Sequence, residues 1–249
     1  MSENWQHRQL QPTSALSYVH KTHSLPDFSS NFLVKKCLHG YSNSLKTPDK
    51  RLPITNDMLE KLVASVEKTC TGLFIRTLVR AMFLLAFHAL LRIGEITSNK
   101  GKPSTLSYSD ITFKEFKSGQ PALLEVRISN FKHSNGRSVL LAIKAKADCK
   151  QFCPVTTLWQ YVCMRGSTEG PLFNFIDKTC VSRSFFSEKL RQCLVFCGYD
   201  TKVYKGHCFR IGAASMAAIK GMSESLIQEM GRWKSSAFKK YIRINSFLI

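Results

Sequence analysis

Between Arg80 and Arg92 every residue but one is apolar: Ala81-Met82-Phe83-Leu84-Leu85-Ala86-Phe87-His88-Ala89-Leu90-Leu91. A bilayer-spanning helix needs roughly 20 such residues, so the run is too short to cross a membrane. Extended back to Phe74, it reads as a helix over about Phe74 to Leu91 that is apolar almost all round. Such a helix has no face to show to water, so the rest of the chain must wrap it. With 249 residues, 44% of them hydrophobic, there is enough chain for one ordinary domain plus a small appendage.

The wrapping elements are legible in part. Leu52-Pro53-Ile54-Thr55 reads as a loop entering a helix, with Thr55 or Asn56 as N-cap and Met58, Leu59, Leu62, Val63 and Val66 at helical spacing. From Thr105 to Ile143 the period shortens toward two: Leu123, Glu125, Arg127 and Ser129 alternate with Leu124, Val126, Ile128 and Asn130, as in a strand. Asn135-Gly136 then precedes the run Ser138 to Ile143. That dipeptide tolerates positive φ best and predicts a tight hairpin with Lys132 and His133 beside its tip. Helical segments follow at about Pro154 to Met164, Ser184 to Cys197, His207 to Lys220, Ser223 to Met230 and Ser235 to Phe247, with glycines between them. The expected fold class is α+β, mainly α-helical, with one small antiparallel sheet. Residues 1–50 read as a polar, poorly periodic arm without a domain of its own. Its apolar island at Phe32, Leu33, Val34 and Cys37 reads as the tail of a helix. The body is 51–249.

Lys and Arg number 36 against 17 Asp and Glu, a formal charge of +19. A field of that strength favours a polyanion as partner. The nine cysteines, odd in number and scattered, predict free thiols and a reducing compartment rather than a secreted disulfide scaffold. Cys149 with Cys153 and Cys193 with Cys197 are spaced for one helical face but lack the tight spacing of zinc ligands, so no metal is expected.

Within the basic chain, four places carry chemistry. Leu91-Arg92-Ile93-Gly94-Glu95 directly follows the core helix, which anchors Arg92 while Gly94 is expected to let backbone pass closely. An arginine so held can fork onto two phosphate oxygens, or it can simply pair with Glu95. Lys132 is a mobile single-point donor able to protonate a leaving sugar oxygen, although a lysine near a turn is often just solvated. His207 and Arg210, three residues apart with Gly206 ahead, share a helix face at an N-terminus whose amides favour a phosphate. Gly231-Arg232-Trp233 supplies a ring nitrogen that can only donate, and Tyr241 follows in the next segment. A tyrosine can attack phosphorus and leave a covalent link to one strand.

Arg92 in L-R-I-G-E, Lys132 on a hairpin, H-C-F-R at 207–210, G-R-W at 231–233 and the tyrosine of K-K-Y-I-R resemble the catalytic domain of the tyrosine recombinase (phage integrase) family. The resemblance covers about Arg51 to Asn245. The wording R-L-P-I-T at 51–55, H-C-F-R-I-G-A-A-S at 207–215 and G-R-W-K-S-S-A-F-K-K-Y-I-R at 231–243 is similar to eukaryotic recombinases of DIRS-like retrotransposons and Cryptons. The resemblance implies the mixed, mainly helical fold of that catalytic domain, double-stranded DNA as substrate, and no metal or nucleotide cofactor. It implies DNA recombination or integration within a transposable element, a nuclear setting reached from the cytoplasm, and a homo-oligomer assembled on DNA without any membrane. By position it implies that Arg92 and Arg210 clamp the scissile phosphate, that Lys132 is general acid for the departing 5′ hydroxyl and that His207 assists proton transfer. Trp233 then fills a position where the family has histidine or tryptophan, and Tyr241 forms a 3′-phosphotyrosyl bond. Glu95 is expected to brace the site.

The family carries a helical core-binding domain of about a hundred residues ahead of the catalytic one, whereas about fifty precede Arg51 here. The arm is therefore expected to be a remnant of that domain. Three functions remain in view: strand cleavage and rejoining, a catalytically silent DNA-binding protein, and a type IB topoisomerase-like relaxing enzyme.

Overall fold

The computed structural model describes residues 5–44, 49–98, 106–129, 131, 136–146 and 150–244. It divides into two compact units, Met1–Asp49 and Lys50–Ile249. The first is a pair of helices, α1 (Trp5–Thr22) and α2 (Phe32–Ser44). Asp27 organises their connection: its carboxylate accepts from the Ser29 N–H at 3.0 Å and from Ser17 Oγ at 2.7 Å, with Lys21 Nζ at 3.4 Å. Those donors, Ser29 first, hold the carboxyl well below the usual range. The sequence conceals α1 because Pro12, which lacks a backbone donor, falls in its interior and no apolar stripe marks one face. No described side chain of this unit is buried, and α2 is a whole helix rather than the tail of one.

In the second unit, Thr55 proves to be the cap of α3 (Asn56–Thr69), accepting from the Met58 N–H at 3.2 Å. Such a cap is worth about 1 kcal/mol. The apolar run forms the second half of α4 (Leu73–His88), on which every residue from Thr77 to Phe87 but Arg80 is buried. α4 ends three residues earlier than its pattern because Leu90 takes a left-handed φ of 46°. The Leu91 N–H then bonds back to Ala86 O at 3.0 Å. A four-residue helix, α5 (Ile93–Ile96), follows at once.

Helices α6 (Pro154–Arg165), α7 (Arg183–Phe196), α8 (His207–Ile219) and α9 (Glu224–Met230) complete the helical shell, and α3, α6 and α8 all pack on α4. Phe83, Phe186 and Phe209 join α4, α7 and α8, with ring centroids 5.3 to 5.9 Å apart. Full burial of one such ring contributes about 1.5–3 kcal/mol. Gly212 marks where the chain entering α3 crosses α8. Ile54 N–H bonds to Cys208 O at 3.2 Å, and a Cβ on Gly212 would stand 1.9 Å from Ile54 O.

The sheet is β1 (Ile111–Lys117), β2 (Gln120–Ile128) and β3 (Val139–Lys144), antiparallel in that order. Leu124, Val126 and Ile128 point into the core as the alternation predicts. The tight turn lies elsewhere than expected. Lys117 pairs with Gln120 across Ser118 and Gly119, whose φ values of 48° and 74° are those of a two-residue hairpin turn. Between β2 and β3 the last pair is Ile128 with Val139, so Gly136 belongs to a longer connection over 129–138. Lys132, His133 and Asn135 of that connection lie outside the described residues, as do Asn130, Cys149 and 245–249. Where an α-helix from Ser235 to Phe247 was expected, a 3-10 helix spans Ser236–Tyr241.

Candidate active site

The left-handed turn at Leu90 fixes the site's centre. It leaves Arg92 extended as the N-cap of α5 and turns the Leu90 carbonyl toward two buried guanidinium groups. Arg92 donates its backbone N–H to Glu95 Oε2 at 2.8 Å and its Nη1 to Glu95 Oε1 at 3.0 Å. Arg232 reaches the same Oε2 from Nη2 at 2.9 Å and also donates to Leu90 O at 3.0 Å. Arg210, with 0% exposure, donates to Leu90 O and to Gly231 O. Two guanidinium groups thus share one carboxylate, itself 4% exposed, and a third is held beside them by backbone carbonyls. Burial, reinforced by Arg92 and Arg232, pulls Arg210 down to about 9. Arg232 is lowered mainly by burial, against the pull of Glu95. The cluster stays cationic at neutral pH, an excess of positive charge in low dielectric that an anion would relieve.

Aromatic rings close the other side. Trp233 lies flat on Gly231, where a Cβ would come within 1.6 Å of Trp233 Cζ3, so residue 231 has to be glycine. The Arg210 guanidinium carbon sits 4.1 Å from the Trp233 ring centroid and 5.8 Å from that of Tyr241. The Tyr241 ring is 4.9 Å from Trp233 and 4.9 Å from His207. Its backbone is held by Ser215 of α8, whose Oγ donates to Tyr241 O at 3.1 Å and accepts the Arg243 N–H at 2.8 Å. Buried Phe238 anchors the 3-10 helix that carries Tyr241. Arg210 Nε, Arg232 Nε and Trp233 Nε1 are buried donors with no partner among the described residues.

Arg92, His207, Arg210, Trp233 and Tyr241, spread over some 150 positions of sequence, therefore converge on one site. Lys132 lies outside the described residues. The pairing of Arg92 with Glu95 occurs as the plainer reading had it, but inside a shared network rather than on an open surface. Gly94 is not a point of close backbone approach, since a Cβ there would meet nothing within 4 Å. Gly212 fills that role instead, against the Ile54 backbone, while Gly206 and Gly231 are pressed by the side chains of Ile93 and Trp233. Arg232 and Ser215 belong to the site as well, beyond the residues that the sequence motifs single out. Arg232 lies inside G-R-W, and an arginine between a glycine and a tryptophan is the signal that marks it. Ser215 gives none, since both its partners are backbone groups.

Among the described residues, no group of three or more His, Cys, Asp or Glu is placed to hold a metal ion. Nor is any helix among the described residues long and apolar enough to cross a membrane.

No protein-family model and no curated protein matches the chain by sequence. Solved structures do match. XerH site-specific recombinase bound to difH substrate in a pre-cleavage complex aligns with a TM-score of 0.58 at 14% identity, over 85% of this chain and 59% of that one. XerA recombinase aligns with a TM-score of 0.57 at 16% identity, over 95% and 79%. A lambda integrase dimer bound to a COC′ core site gives 0.54 at 14%, over 94% and 64%. The chain spans only 49% and 59% of the two XerH chains. With α3, α6 and α8 packed on α4, a three-stranded antiparallel sheet and this alignment to recombinases and integrases, the chain has the fold of the tyrosine recombinase catalytic domain.

Proposed function

We propose that the protein cuts and rejoins DNA strands through a 3′-phosphotyrosyl intermediate formed by Tyr241. The observation that carries this reading is the Tyr241 ring lying against His207 and Trp233 and over Arg210, in a cluster of three arginines with a single carboxylate. In the proposed step Tyr241 Oη attacks phosphorus, the tyrosyl proton leaves with help from His207, and the 5′ oxygen departs with a proton from Lys132. Arg92 and Arg210 neutralise the pentacoordinate phosphorane, Arg92 held in position by Glu95 and Arg210 by the carbonyls of Leu90 and Gly231. The phosphotyrosyl bond conserves the energy of the broken one, so a second 5′ hydroxyl can reseal the strand without an external source. Double-stranded DNA fits the charge of +19, and structural neighbours bear names that place them on DNA as dimers or tetramers. The same reading makes this chain a homo-oligomer on DNA. The motif wording shared with DIRS-like and Crypton recombinases supports a mobile element acting in the nucleus.

The test is covalent trapping on a library of nicked suicide duplexes. The wild-type chain is expected to give a denaturant-resistant protein–DNA adduct that Tyr241→Phe abolishes, and no adduct from the wild type would overturn the proposal. A second reading, DNA binding without cleavage, is favoured by one observation: Arg210 is fully buried with both terminal nitrogens on backbone carbonyls. It predicts salt-sensitive duplex binding, equal in wild type and Tyr241→Phe, and no adduct from either.

A further inference from the structure

His207 has a second neighbour besides Tyr241. On its far side, between α7 and the loop leading into α8, lies a cavity of about 360 Å³, within the size range of small-ligand pockets, which begins at roughly 300 Å³. Its floor is apolar: Ile93, Leu190 and Leu194 are buried, and the half-buried Tyr204 ring completes it. Its rim is cationic, with Arg51, Arg183 and Lys205, and no carboxylate lines it; Arg191, also at the mouth, is paired with Glu188 at 2.7 Å. The cavity and the arginine cluster share a wall. Gly206 and His207 line the cavity, and a Cβ on Gly206 would stand 2.6 Å from Ile93 Cγ1, so the first turn of α8 rests on the residue that follows Arg92.

A phosphate needs cations but no apolar floor, and a stacked base has both faces covered already. A floor of leucine, isoleucine and tyrosine beneath a basic rim matches one unit that has both an apolar face and a negative charge, namely a nucleotide outside the stack. We propose that this cavity is a subsite for one unstacked nucleotide of the strand adjoining the reacting phosphate, its base against Ile93, Leu190, Leu194 and Tyr204 and its phosphate on Arg183 and Lys205. The assignment of the strand rests on the phosphotyrosyl reading, while the class of ligand rests on the cavity alone.

The experiment is calorimetric titration of the full chain with thymidine 5′-monophosphate, thymidine and inorganic phosphate. The nucleotide is expected to bind at least about tenfold more tightly than either of its halves. Ser187→Trp, which fills the mouth from an exposed position on α7, weakens the nucleotide about tenfold or more with an unchanged melting temperature. Arg183→Glu weakens nucleotide and phosphate but not the nucleoside. Undetectable nucleotide binding, inorganic phosphate binding as tightly as the nucleotide, or Ser187→Trp without effect in a folded chain would each overturn the subsite. Nucleotide binding without any trapped adduct sinks only the phosphotyrosyl reading, whereas an adduct without nucleotide binding sinks only the subsite.

Discussion

Glu95 is the residue on which the cationic cluster depends. Its two oxygens accept from the Arg92 backbone, the Arg92 guanidinium and the Arg232 guanidinium, while Arg210 beside them is held by backbone carbonyls instead. Removing that charge leaves buried cations facing one another, the situation in which breaking a buried pair costs most. Glu95→Gln keeps the shape and one acceptor, and is expected to lower unfolding free energy by about 3 kcal/mol, read from the denaturation midpoint at constant slope. A loss below about 0.5 kcal/mol, the size of an ordinary surface change, would show that the arginines do not need it. Leu90 and Arg232, both buried and both at positive φ, belong to the same arrangement. Left-handed backbone at non-glycine residues costs about 1–3 kcal/mol and persists where its surroundings require it, here because Leu90 O has to meet two guanidinium groups.

Among the elements, α8 organises both halves of the site. Its first turn carries His207 and Arg210, and two turns on Ser215 grips the chain on either side of Ile242, through Tyr241 O and the Arg243 N–H. Ser215 is thus a positioning residue for Tyr241. Ser215→Ala is expected to slow adduct formation about tenfold, the effect of one lost hydrogen bond and a displaced nucleophile, while duplex affinity stays unchanged. Ser215→Thr, which keeps the hydroxyl, is expected to recover much of the rate; equal loss in both variants would assign the effect to packing alone. How far the sequence disclosed these elements depended on the kind of signal each carries. α3 is legible because a buried face imposes a helical period, as with Met58, Leu59, Leu62, Val63 and Val66, and α4 because its apolar run is nearly unbroken. α1 is not, since Pro12 and a face without periodicity argue against it. Dipeptide preference alone points to Asn135-Gly136 for the tight turn, whereas the strand register places it at Ser118-Gly119. The local motifs around Arg92, His207, Arg210, Trp233 and Tyr241 are readable because spacing and residue type are local properties, whereas their meeting in one site is what the resemblance to the tyrosine recombinases implies. The bridging by Glu95 and the roles of Arg232 and Ser215 are not readable, because their partners, largely backbone groups such as Leu90 O and Tyr241 O, are set by tertiary structure.

At the scale of the whole molecule the charge of +19 and one half-buried histidine act on stability in the same direction but by different physics. His88, at the end of α4, has Nε2 buried without a partner among the described residues. Burial, with Lys146 and Lys220 nearby, lowers it from 6.5 to about 3. Below pH 6.5 the unfolded chain binds a proton at this position and the native chain does not until about pH 3, so stability falls as pH falls through that window. The slope is at most about 1.4 kcal/mol per pH unit from this group. Protonation of carboxylates over the same range raises the net positive charge and adds general repulsion, which salt screens, whereas desolvation of a buried imidazole is hardly screened at all. Melting temperatures measured from pH 7 to pH 4 at low and high ionic strength therefore separate the two. High salt is expected to recover the repulsive part and leave a residual slope, and His88→Leu, which removes the titrating group and its orphaned nitrogen, is expected to flatten that residue. A residual slope identical in wild type and His88→Leu would mean that the imidazole is hydrated in solution, and that the end of α4 is more open than its burial indicates.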